Sequence, residues 1–268
     1  MKLYKYLSAG RIDVLRNKNI RFTQPVAWND PFEMKPVMME SLREHDRTGW
    51  LSIEHIEYYY DVTFNTNYHG LSLTKNKNSL LMWSHYSNSH TGFMLEFDTN
   101  SKFFKSSTTN QLIKIPYNNK RPDLYPNEIM EKAMNSIGLS DQEYNQLIKM
   151  FFTKSTCWRY EREWRLLRPA SVLQTKDGLI CNYDNDVMSF FKLNGSHDQM
   201  KFSLDYNDCL LGNIEFKPIT GLYFGVRMSD LDKNEIRMIL SEEEEFSNVI
   251  MYQANLDKEC YQIKYNKV

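Results

Sequence analysis

Hydrophobic residues along the chain fall in short runs of two distinct periods. Residues 3–7 (LYKYL), 20–23 (IRFT), 70–74 (GLSLT) and 92–98 (GFMLEFD) read as strands, with a weaker one over 111–116. A further strand covers 214–227 with Pro218 interrupting it, and residues 249–254 and 261–265 alternate as a closing hairpin. Helical spacing occurs over 9–17 behind Ser8, over 54–62, from Ser79 to a stop at Gly92, and from Ser229 to Leu240. Residues 125–157 read as two helices broken at GLSD. Residues 170–212 carry little pattern beyond short strands at 179–183 and 200–204. No repeat or linker divides the chain. The pattern predicts one α+β domain over residues 1–268, a mostly antiparallel central sheet with flanking helices.

Three segments stand out from this framework. The first is CWRYEREWRLLR, residues 157–168. As a strand it puts Glu161, Glu163, Arg165 and Leu167 on one face and Tyr160, Arg162, Trp164 and Leu166 on the other. As a helix it offers only an i,i+4 pair between Glu161 and Arg165, worth a few tenths of a kcal/mol. The strand is preferred, because the aromatics flank the charges and form no helical stripe. The second segment is the loop over residues 25–36, with prolines at 25, 31 and 36. It sets Asn29, Asp30 and Glu33 beside Trp28 and Phe32, either as part of a site or as an Asx-turn that shapes the bend. The third is the helix after Ser79, where Trp83, Tyr86 and His90 share one face and Leu81 and His85 another.

Composition narrows the setting. Formal net charge is −1, so no basic field favours nonspecific nucleic-acid binding. The four cysteines are scattered without metal-ligand spacing, as expected of reduced thiols in a cytoplasmic protein. No leader-like or membrane-spanning run is present. An aromatic content of 14% points to aromatic packing or a stacking site.

The segments LYKY, FTQPVAWNDPFE, NSLLMWSHYSNSHTGFMLEFD, KSTCWRYEREWRLL and ITGLYFGVRMSDLDKNEI, in that order, resemble the bacterial and phage family called domain of unknown function 2971. Their order is also similar, more distantly, to that of ADP-ribosyltransferases. Those enzymes carry a basic residue on an early strand, a Ser or Tyr opening a strand–helix–strand, and a catalytic glutamate on a later strand. That resemblance implies NAD as substrate, with Lys5 and Tyr6 at the basic strand, Ser72 at the Ser/Tyr position and Glu163 as the catalytic glutamate. Lys5 departs from the Arg or His of those enzymes, and an ammonium makes neither planar-fork nor imidazole contacts.

Breaking the nicotinamide–ribose bond creates an oxocarbenium-like centre that a carboxylate stabilises. Glu163 is the candidate for that role, Glu161 for orienting an acceptor, and Ser72 for holding Glu163. Trp83 and Tyr86 could stack on a ring, with His85, Asn29, Asp30 and Glu33 as further binding candidates, although core packing accounts equally for the aromatics. Glu163→Gln is expected to remove activity at a stability cost of at most about 1 kcal/mol. The expected activity is ADP-ribosyl transfer to an unknown acceptor, or NAD hydrolysis, in a toxin or phage-defence effector. Two alternatives stay open. One is a non-catalytic binding module. The other is a nuclease using Asp30, Glu33, Glu161 and Glu163 as Mg²⁺ ligands, with Lys5 or Lys154 on phosphate.

Overall fold

Strand β1 (Lys2–Leu7) runs through the middle of the molecule, and its alternation sorts the core into two layers. Leu3 and Leu7 join an aliphatic and phenylalanine cluster with Phe22, Leu71, Phe97 and Leu166, while Tyr4 and Tyr6 join Met82, Trp83, Met94 and Tyr223. Lys5 has the parity of Leu3 and Leu7 and breaks the apolar pattern. In this computed structural model, residues 1–33, 37–38, 68–105, 111–124, 149, 152–169, 210–214 and 217–268 are described.

Among them, β1 shares one sheet with β4 (Tyr68–Thr74), β5 (Phe93–Asp98), β6 (Gln111–Lys114), β8 (Glu163–Pro169), β10 (Ile219–Phe224), β11 (Ile250–Leu256) and β12 (Ile263–Lys267). The eight strands lie in the order β12-β11-β10-β5-β1-β4-β8-β6. Neighbours pair antiparallel except β10 with β11. That parallel step needs a crossover connection, and a helix supplies it. Two small ladders lie outside the sheet, β2 (Asn19–Phe22) with β9 (Leu210–Asn213) and β3 (Val37–Met38) with β7 (Asp123–Leu124). The mixed α+β sheet read from the pattern is the observed one. No helix among the described residues is long and apolar enough to cross a membrane.

Several elements differ from expectation for local reasons. The helix over 9–17 splits into a 3-10 turn, Ala9–Arg11, and a short α1 (Asp13–Arg16), and Ser8 makes no side-chain cap. Gly10 lies inside the span, and glycine weakens a helix interior. Ser79 does cap α2 (Leu80–Tyr86), its hydroxyl accepting from the Met82 amide at 3.3 Å. That helix stops before Gly92, because Asn88, Ser89 and His90 all take positive φ. His90 therefore leaves the helical face, although its ring still stacks near Trp83. Gly92 instead permits a close approach of backbone, since a Cβ there would sit 2.0 Å from the Leu7 carbonyl oxygen. Helix α3 (Asp230–Glu242) starts at Ser229 as expected and joins β10 to β11, and the closing hairpin is β11–β12. The expected helices at 54–62 and 125–157 and the strands at 179–183 and 200–204 fall almost wholly outside the described residues.

Candidate functional site

Strand β4 changes partner along its length, and this opens a cleft. It meets β1 at Tyr4↔Thr74 and, four residues back, bridges Thr23 at Gly70 through two 2.8 Å backbone bonds. Between those points, among the described residues, no strand pairs with the backbone of Ser72 on that side. Lys5 fills the place, its Nζ donating to the Ser72 carbonyl oxygen at 2.9 Å. The resulting cavity of about 200 Å³ is bounded by β1, by β4, by the Trp28–Asn29 turn and by Tyr86, Lys154, Glu161 and Glu163.

The CWRYERE stretch supplies its acidic wall, in a shape that corrects the strand reading. Residues Thr156–Glu161 form a 3-10 turn, Arg162 takes a left-handed conformation at φ 46°, and the strand begins only at Glu163. Glu161 and Glu163 are thus not successive positions on one strand face. The kink aims both at Lys154. It is pinned by the Thr74 hydroxyl, which donates to the Glu161 carbonyl, and by the Lys75 amide, which donates to that of Arg162 at 3.2 Å.

Lys154 Nζ lies 2.7 Å from Glu161, 3.2 Å from Glu163 and 3.7 Å from Glu33. Arg165 Nε donates to Glu163 Oε1 at 3.0 Å, and its Nη2 bridges Glu163 and Glu33. The guanidinium also lies 3.8 Å from the Trp28 ring centre, a close cation–π contact. Trp28 is admitted there by Gly70, where a Cβ would come within 2.9 Å of the indole. These five charged residues are buried. Two firm cations thus face three carboxylates, and Lys5 is the third cation beside them.

Proton affinities follow from that packing. Burial pushes Glu163 upward, yet Arg165, Lys154 and the Ser72 hydroxyl outweigh it and hold the carboxyl at about 2. Burial works against the Lys154 charge, but Glu163, Glu33 and Glu161 hold its pKa above the usual lysine range. For Glu33, burial prevails over Arg165 and Lys154, and its pKa is raised. Burial also lowers Lys5 to about 8. The Tyr86 hydroxyl donates to Glu161 and accepts from Asn29; burial and then Glu161 push its pKa up.

Lys5, Ser72, Glu161, Glu163, Tyr86, Asn29, Glu33 and part of Tyr6 therefore meet around one cavity. Tyr6 is mostly buried, its hydroxyl donating to the Asn76 carbonyl at 2.8 Å. Three candidates are elsewhere. Trp83 is fully buried under the floor, edge-on to Tyr6 with Nε1 donating to Tyr265, so it offers no stacking face. His85 is exposed on α2 and does not line the cavity. Asp30 is buried and forms the expected Asx-turn, accepting from the Phe32 amide at 3.0 Å, and it lines a neighbouring cavity. The sequence reading missed Lys154 as the centre of the acid group. The lone signal was a lysine placed just before the CWRYERE stretch.

Residues 82–166 match the family model described as Protein of unknown function (DUF2971). The resemblance read from the motifs holds over that segment, which is less than half of the chain. WSHY and CWRYEREW lie within it, so Tyr86, Lys154, Glu161 and Glu163 all come from the DUF2971 match, whereas Lys5, the NDPFE loop and Ser72 precede it. No curated protein and no solved structure matches the chain.

Proposed function

We propose that the cleft binds NAD and breaks its nicotinamide–ribose bond, passing ADP-ribose to an acceptor or to water. The observation that carries this reading is the meeting of Lys5, Ser72 and Glu163 on β1, β4 and β8, with the Ser72 hydroxyl donating to the Glu163 carboxylate. The three residues singled out by order along the chain share one cavity.

The chemistry follows from charge. A carboxylate with its pKa near 2 stays ionised at any working pH and can face a developing oxocarbenium centre. Arg165 and Lys154 balance two of the three carboxylates. When a substrate phosphate occupies the Lys5 ammonium, the ionised Glu163 carboxylate is the negative group that faces the ribose. Glu161 is less tightly held than Glu163, by one lysine and one tyrosine hydroxyl, and is the carboxylate free to turn toward an acceptor. Loss of cellular NAD through this site would make the chain a toxin or phage-defence effector.

In the nuclease alternative the same acids hold a divalent ion. Here the Lys154 ammonium occupies the point where Glu33, Glu161 and Glu163 converge, so it is committed to the acids and not to a phosphate. NAD turnover by purified wild type, Ser72→Ala and Glu161→Gln tests the proposal. Ser72→Ala should slow nicotinamide release, and Glu161→Gln should depress transfer to an acceptor more than hydrolysis. Equal rates in all three would overturn it.

A further inference from the structure

The cavity beside Lys5 is smaller than the roughly 300–1,000 Å³ of ordinary ligand sites. It is small for a whole dinucleotide. A second cavity of about 230 Å³ lies against it, sharing Glu33 and Lys154 as a common wall. Its inner side is the NDPFE turn and its rim carries Lys120 and Arg121, both exposed.

Two carboxylates that line this second cavity each keep one buried oxygen without a hydrogen bond. Asp30 is 4% exposed; its Oδ1 accepts from the Phe32 amide, and its Oδ2 has no hydrogen bond. Glu33 is 6% exposed; its Oε1 accepts from Arg165, and its Oε2 has no hydrogen bond, with Lys154 Nζ at 3.7 Å. A buried acceptor left without a donor is costly, so two in one cavity mark a place for donors. Lys154, Lys120 and Arg121 already supply positive charge nearby, which disfavours a cationic ligand. Neutral hydroxyls fit better, and a vicinal diol offers two at once. Beyond the acids, Phe32 is 63% exposed at the rim, with the Arg121 guanidinium 6.0 Å from its ring centre. An aromatic face next to two cations suits a base joined to a phosphate.

We infer that this second cavity is a nucleotide subsite: Asp30 and Glu33 accept from the ribose hydroxyls, Lys120 and Arg121 meet the phosphate, and Phe32 stacks on the base. The choice of an adenine nucleotide rests on the NAD reading, whereas the ribose and phosphate contacts rest on the cavity itself.

The test is calorimetric titration of the full chain with AMP, and separately with MnCl₂ alone. Wild type should bind AMP. Asp30→Asn, which keeps the Asx acceptor but loses the free carboxylate oxygen, should weaken AMP by about tenfold, since a charge-assisted bond is lost. Arg121→Ala should weaken it and flatten its salt dependence, and Lys258→Ala, an exposed residue that lines neither cavity, should leave it unchanged. No AMP binding by wild type, or binding indifferent to Asp30→Asn, would overturn the inference. AMP binding lost only in Glu161→Gln would place the nucleotide in the first cleft and overturn it too. Manganese binding that depends on Asp30 would do the same by making this a cation site. NAD turnover, measured separately, stands or falls on the first cleft, so the two readings fail distinguishably.

Discussion

Glu163 shows why a buried charge must be judged by its partners. Its carboxylate meets Arg165, Lys154 and Ser72, and the residue is almost inaccessible to water. Glu163→Gln would leave two buried cations short of a counter-charge, a loss of about 3–5 kcal/mol in such settings. This is larger than the cost of at most about 1 kcal/mol expected from sequence, because Glu163 is buried among its counter-charges. Chemical denaturation of the variant checks it, and a cost below about 1 kcal/mol would show the network to be slack. Lys5 gives the opposite signature. Its pKa falls from 10.5 unfolded to about 8 folded, so the unfolded chain binds more protons between those values. Stability of the wild type should therefore rise as pH climbs through 8 toward 10.5. Lys5→Met should be the more stable protein at pH 7 and lose that advantage above pH 10 in thermal melts; an advantage constant across this range would contradict the assignment.

At the scale of elements, the kink at Arg162 decides whether the two glutamates meet. A non-glycine residue in the left-handed region carries a penalty that glycine does not. Arg162→Gly should leave the melting temperature unchanged or higher, and Arg162→Val should lower stability by about 1–2 kcal/mol, because a branched side chain tolerates that region worst. Equal melting temperatures would mean the turn adapts freely. This kink was not legible in the sequence, since the alternation of residues 160–168 fits a continuous strand and Arg162 carries no turn signature. The strands at the centre were legible, because LYKYL, GLSLT and GFMLEFD alternate cleanly and Ser79 and Ser229 mark helix starts. The candidate residues Lys5, Ser72 and Glu163 were legible by order alone. What order could not supply was Lys154 as their common partner, or the burial of Trp83, whose spacing with Tyr86 fits a ligand face as well as a core. Gly70 is a further case of contact hidden from sequence: Gly70→Ala pushes against the Trp28 indole and should cost about 1–3 kcal/mol by overpacking. Urea unfolding of that variant is the check, and an unchanged midpoint would mean that Trp28 yields without loss.

Across the whole molecule, one sheet carries both the core and the cleft. Its central strands β1 and β4 are held together at one end by Tyr4↔Thr74 and part around Ser72, so the opening is a product of strand pairing and not of a mobile loop. The DUF2971 segment supplies the acidic wall, and the residues before it supply the amine, the serine and the NDPFE turn. The central claim, that this opening cleaves NAD, is tested most directly by incubating the purified chain with NAD labelled in the nicotinamide ring and measuring released label. Wild type should release it, and Glu163→Gln, shown by circular dichroism to be folded at the assay temperature, should not. A wild type that neither binds NAD nor releases nicotinamide, or a folded Glu163→Gln that releases it at the wild-type rate, would contradict the account.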